Sequence, residues 1–121
     1  MRVGFIGTGN IATIVMGLIV REKVDCEVTS VFDSDFQKAD GFRKRFNDDI
    51  LVCSDIDSLL ENVDLVVEAA SLSAVREYGI RVLESGKGLV VMSTGALCDD
   101  LLLQQMMRAA RENEVRVYIP S

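Results

Sequence analysis

The stretch Val3-Gly4-Phe5-Ile6-Gly7-Thr8-Gly9-Asn10-Ile11-Ala12 decides how this chain folds. Val3, Phe5 and Ile6 form a short apolar strand that runs into a glycine turn, and helical periodicity begins as the turn ends. The turn reads G-x-G-x-x-A, the spacing with which a strand-turn-helix unit seats the pyrophosphate of a dinucleotide. Each small residue has a physical task. Gly7 permits a tight reversal from strand to helix, and Gly9 has no side chain to hold phosphates away from the backbone. Ala12 lets the helix lie close to the strand. The backbone of Gly9, Asn10 and Ile11, at the positive end of the helix dipole, then faces the phosphate charge.

Glycine-rich turns follow strands in many folds, so the context of this one matters. A second apolar-rich run, Val28-Thr29-Ser30-Val31-Phe32, ends in Asp33. That is about twenty residues past the turn, where this fold places a carboxylate for the hydroxyls of the adenosine ribose. The alternative is a plain α/β turn followed by a surface aspartate that caps the next segment. A carboxylate at this point repels a 2′-phosphate, which favours NAD over NADP. No arginine follows Asp33 directly, although Ser34 and Lys38 leave tolerance for NADP.

The chain has 121 residues, 49% of them apolar and 26% charged, which suits one globular domain with a real core. Its formal net charge is −6, and no cluster of Lys or Arg dominates any segment. Nucleic acid and anionic membranes both call for a basic surface, so neither is an expected partner. No apolar run approaches the roughly 20 residues that cross a bilayer. Met1-Arg2-Val3 leads straight into a strand, with no room for a signal peptide. Cys26, Cys53 and Cys98 are an odd number at wide spacing and suggest buried, reduced thiols in a cytoplasmic protein. There is no histidine, which removes the commonest general base and metal ligand.

Strand-like and helical runs alternate along the whole chain. After the first strand, Ile11, Ile14, Val15, Leu18 and Ile19 recur at helical spacing up to Arg21 and Glu22. A strand over 27–32 and a helix over 35–46 follow, with Asp35 as cap and Phe42 and Phe46 on one face. Residues 50–52 form a third strand, and Ser54 opens a short helix anchored by Leu59 and Leu60. A fourth strand spans 65–69. A helix over 73–84 carries Val75, Tyr78, Ile80 and Leu83 inward and stops at Gly86. A fifth strand spans 89–92, a helix runs from Asp99 to Asn113, and a sixth strand covers 115–119 before Pro120. Alternation of this kind demands a mostly parallel sheet with helices on both faces: an α/β, doubly wound Rossmann-type fold with strand order 3-2-1-4-5-6.

A cofactor in such a fold lies across the carboxyl ends of the strands, where the strand order reverses. The loops that matter are therefore those after the first, second, fourth and fifth strands. After the fourth come Ala69, Ala70 and Ser71, small enough for ribose and phosphate to pass; Ser71 or Ser73 also suits a helix cap. After the fifth come Ser93, Thr94, Gly95 and Ala96, where nicotinamide would sit. Arg43-Lys44-Arg45 reads as a solvated helix face, Met106 and Met107 as core, and Asp99-Asp100 as a helix N-terminus and not a metal site.

Hydride-transfer enzymes also need a substrate pocket and usually an acid or base, and nothing in these residues supplies them. The Tyr118-Ile119-Pro120-Ser121 ending suggests an amino-terminal domain, residues 1–121, with a substrate domain expected beyond. The segments Gly7-Thr8-Gly9-Asn10-Ile11-Ala12, Val66-Val67-Glu68-Ala69-Ala70-Ser71, Val91-Met92-Ser93-Thr94-Gly95-Ala96-Leu97 and Ile119-Pro120-Ser121 together closely resemble the archaeal-type L-aspartate dehydrogenase family. The resemblance spans essentially the whole chain. Members often carry valine where this chain has Thr94. The resemblance implies NAD(P)-dependent oxidative deamination of L-aspartate, a catalytic histidine in the other domain, homodimerisation mainly through that domain, and no catalytic residue here. Two other readings fit the residues: the cofactor domain of a homoserine dehydrogenase relative, and a dinucleotide-binding sensor that turns nothing over.

Overall fold

The computed structural model describes residues 1–120; Ser121, the last residue of the closing segment, lies outside them. Its strands are β1 (Arg2–Ile6), β2 (Glu27–Phe32), β3 (Leu51–Cys53), β4 (Leu65–Glu68), β5 (Gly88–Val91) and β6 (Val117–Tyr118). Its helices are α1 (Asn10–Arg21), α2 (Phe36–Phe46), α3 (Ile56–Leu60), α4 (Leu72–Glu84) and α5 (Asp100–Glu112), with a 3-10 turn over Thr94–Cys98. The strands form one six-stranded sheet in the order β3-β2-β1-β4-β5-β6, every pairing parallel, as the sequence pattern anticipates.

Helices cover both faces, so the central strands are apolar on both sides. Phe5, Val31, Val67, Ala12, Met16, Ala39 and Phe42 build one core beneath α1 and α2. Leu59, Val66, Val82, Leu83, Leu89 and Met106 build the other beneath α3, α4 and α5. Rings join the layers: Phe42 lies 5.8 Å from Phe5 and 4.9 Å from Phe46, centroid to centroid. Gly4 lets α3 and the loop after it sit directly on β1, since a Cβ there would come within 2.7 Å of Val63 Cγ1 and 2.9 Å of Leu59 Cδ1.

Register sets the site. Ile6 pairs with Phe32 on one side and Glu68 on the other, Phe32 with Cys53, and Glu68 with Val91. The carboxyl ends of β1 to β5 therefore form a single row, and the loops that follow them gather on one edge.

Local details depart from the sequence reading. The buried face of α1 is Ala12, Val15, Met16 and Ile19, whereas Ile11, Ile14 and Leu18 are exposed; apolar residues ring this helix, and only contact with the sheet selects the inner stripe. Asp55, not Ser54, caps α3, accepting from Ser58 N at 2.8 Å, a bond that holds its carboxyl below the usual range. Helix α4 begins a residue early, at Leu72, because Ser71 Oγ accepts from Ala74 N. The sixth strand is shorter than 115–119: Val115 N donates to Ala110 O and closes α5 instead. Met106 is core as expected, but Met107 is 41% exposed. Of the thiols only Cys53 is buried; Cys26 is partly buried and Cys98 exposed. Arg43 is not merely solvated, since it bridges Asp40 at 2.7 Å and Asp48 at 3.2 Å.

The Gly4 contact yields a stability prediction. Gly4→Ala overpacks a site with little room to yield and should destabilise the fold by about 1–3 kcal/mol. Chemical denaturation of both proteins measures this, and an unchanged midpoint would show that Val63 and Leu59 retreat freely.

Candidate dinucleotide site

The glycine turn stands at the point where the sheet reverses, between β2 and β4. Gly7 has φ +92°, and a Cβ there would meet Ala69 O at 2.7 Å and Ala70 Cβ at 2.8 Å. Conformation and packing both require glycine. Backbone bonds tie the turn to its neighbours, Gly7 N donating to Phe32 O and Ala69 N to Ile6 O, each at 2.8 Å.

Gly9 is different. Its φ of −85° is open to any residue, and a Cβ built there would have nothing within 4 Å. Neither strain nor packing accounts for a glycine at this position. Gly9 is also the N-cap of α1, which has no side-chain cap and no acidic residue in its first turn. Each of the other α-helices is capped by a side chain, Asp35, Asp55, Ser71 or Asp99. The first amides of α1 are thus left for something outside the helix, and the space above them is clear. A phosphate pair fits both features.

Asp33 closes the other side of the turn. Its Oδ2 accepts from Thr8 N at 2.9 Å and Thr8 Oγ1 at 2.8 Å, while Oδ1 accepts from Asp35 N at 2.8 Å. These bonds hold the carboxylate at the end of β2 and leave it spare acceptor capacity. Thr8, an unspecified position of the motif, is a buried partner of this acid; the sequence offered no signal for it beyond a hydroxyl near a carboxylate in the expected topology.

A cavity of about 230 Å³ opens beside Asp33, lined by Gly7, Asp33, Ser34, Ala70, Ser71 and Tyr78 among others. The fold thus gathers five of the sequence-selected residues around one space. Glu77 also lines it and no Lys or Arg does, so the wall is acidic. Burial, and then the neighbouring Glu77, push the Tyr78 hydroxyl above its ordinary pKa. A larger groove of about 690 Å³ runs between α4 and α5, away from the strand ends.

The remaining selected residues lie apart from this cavity. Asn10 opens α1 and Ile11 is 45% exposed beside it; Ala12 is fully buried against the sheet. Ala69 is buried, with its carbonyl against the Gly7 position. Ser93 turns its hydroxyl inward to donate to Glu68 Oε2 at 2.8 Å. Thr94 begins the 3-10 turn, and the Ala96 side chain is fully buried in the core. Those two side chains, Ala12 and Ala96, support the loops from below. Glu68, buried to 1% exposure, belongs to the strand and to the Val66–Ser71 segment of the family resemblance, and neither gives its side chain a role.

A parallel sheet in this order, with a glycine turn and an uncapped helix at its switch point, defines the Rossmann class of dinucleotide-binding domains. Residues 7–120 match the family described as the homoserine dehydrogenase NAD-binding domain, and the chain belongs to that family. Over its whole length it is 36% identical to an L-aspartate dehydrogenase of Methanothermobacter thermautotrophicus, covering 46% of that protein. It is 33% identical to one of Methanocaldococcus jannaschii, covering 45%. The chain therefore spans about half the length of these curated relatives. Among solved structures, the WlbA dehydrogenase of Bordetella pertussis, in complex with NADH and UDP-GlcNAcA, superposes with a TM-score of 0.85 at 21% identity. That match covers 98% of this chain and 36% of the other, and it shows the shared fold.

Gly9 separates fold from binding. In Gly9→Ala the new methyl group meets no protein atom but intrudes on the space above the α1 amides. Thermal stability should stay within a degree or two, while NADH affinity falls by roughly tenfold or more. Parallel melting and NADH-fluorescence titrations check both, and undiminished affinity would place the phosphates elsewhere.

Proposed function

We propose that this chain is the cofactor-binding half of an NAD(P)-dependent L-aspartate dehydrogenase, with NAD preferred. The observation that carries the reading is the 36% identity to an aspartate dehydrogenase over all 121 residues of the chain. The acidic cavity wall supports the preference, because Asp33 and Glu77 disfavour a 2′-phosphate where no cation lines the space. Bound NAD supplies the hydride acceptor; the substrate gives up its Cα hydride and a proton, leaving iminosuccinate, which water converts to oxaloacetate and ammonia.

In this reading the amides at the start of α1 hold the pyrophosphate and Asp33 accepts from the adenosine ribose. Ala70 and Ser71 border the passage between the two nucleotide halves, and the backbone around Ser93 and Thr94 faces the nicotinamide side. No residue here is assigned to acid-base chemistry. Substrate binding, catalysis and dimer contacts belong to a second domain, and the whole protein works as a cytoplasmic homodimer. A second reading, a homoserine dehydrogenase relative, is favoured by the description of the matching family.

The chain alone should bind NADH weakly and turn over no aspartate; calorimetry showing no binding at millimolar cofactor would remove the cofactor role. Asp33→Ala should lower the NAD-to-NADP affinity ratio by about tenfold, through lost repulsion of the 2′-phosphate. Equal ratios in variant and parent would take Asp33 away from the ribose. In the longer protein, turnover of aspartate and not homoserine separates the two enzyme readings.

A further inference from the structure

Glu68 is the only acidic residue among the buried polar groups of the described chain, and it ends β4 at the centre of the sheet. A carboxylate in that position is costly to bury unless donors surround it. Five hydrogen bonds do so. Oε2 accepts from Ala70 N at 2.8 Å, Ser71 N at 3.0 Å and Ser93 Oγ at 2.8 Å. Oε1 accepts from Ser93 N at 2.9 Å and Met92 N at 3.2 Å. No cation takes part. The donors come from two loops, the one after β4 and the one after β5.

From this geometry we infer that Glu68 is a positioning residue for the dinucleotide. Oε2 fastens the loop that lines the adenosine side and takes the Ser93 hydroxyl as well, Oε1 fastens the backbone that opens the nicotinamide side, and the carboxylate fixes the separation of the two. All five donors to this acid lie in the loops, at Ala70, Ser71, Met92 and Ser93, and none within a strand or helix. Ser93 serves the same clamp: its hydroxyl is spent on Glu68 and is turned away from the cavity. The inference rests on the cofactor reading above and adds to it a residue that touches neither cofactor nor substrate.

Glu68→Gln distinguishes this role from simple stabilisation. The amide should keep its oxygen where three donors converge, and so set its NH2 against the amides of Met92 and Ser93, which are donors too. The β5 loop should loosen while the β4 loop holds. Hydrogen exchange should quicken at the Ser93 amide and stay slow at Ala70 and Ser71. AMP, which needs only the adenosine side, should bind the variant within about twofold of the parent, while NADH binding weakens by roughly tenfold. Ser93→Ala, which removes a single hydroxyl donor, should move the same ratio in the same direction by a smaller factor.

A uniform loss of AMP and NADH affinity in both variants, or no loss in either, would overturn the clamp and leave Glu68 a structural acid. If Glu68→Gln does not fold, the Ser93→Ala ratio decides alone. A parent chain that binds AMP and NADH at no concentration would instead overturn the cofactor reading itself, and the positioning role with it.

Discussion

Everything in this domain is arranged around the close approach of β1 to the loop after β4. At Gly7 the chain must leave the sheet sharply enough to start a helix over it. The carbonyl of Ala69 and the methyl of Ala70 lie where a Cβ would be. Any larger residue would push apart the two central strands at the point where the strand order reverses. Because Ile6 pairs with Phe32 and with Glu68 in the same row, such a displacement would reach every loop on the functional edge at once. Function follows from that alignment, since a ligand laid across the edge meets one residue after another at nearly the same height.

The buried polar side chains on this edge have partners within the described chain. Asp33 is held by Thr8 and Asp35, Glu68 by two loops, and four of the five α-helices by side-chain caps. Only α1 begins without a cap, beneath a glycine that nothing crowds. Caps are worth about a kcal/mol each, so leaving one out weakens the free domain slightly. The same amides, turned toward open space, are left free to meet an anion. Stability is surrendered where binding is to be gained.

Negative charge has two distinct uses here. At the cavity wall, Asp33 and Glu77 give the lining its acidic character. Within the sheet, Glu68 is buried, and its five donors make it a joint between loops. Residues of one chemical type thus stand exposed at the cavity wall and buried at the end of β4, and only their surroundings tell them apart.

How much of this could be read from residues alone depends on the range over which each interaction acts. The glycine turn, the acid about twenty residues later and the alternation of strands and helices are local patterns, imposed by backbone geometry and hydrophobic periodicity, and they determined the fold and the strand order. Contacts between distant segments lie beyond such patterns. Nothing local marks Thr8 as the partner of Asp33, or picks Ala12, Val15, Met16 and Ile19 over Ile11, Ile14 and Leu18 as the inner face of α1. Glu68 reads as one polar letter in an apolar strand until β5 is laid beside it and brings the amides of Met92 and Ser93 to its carboxylate. Those choices were left to the tertiary structure, because a side chain's role at this edge is set by which loops the sheet register brings within a hydrogen bond of it.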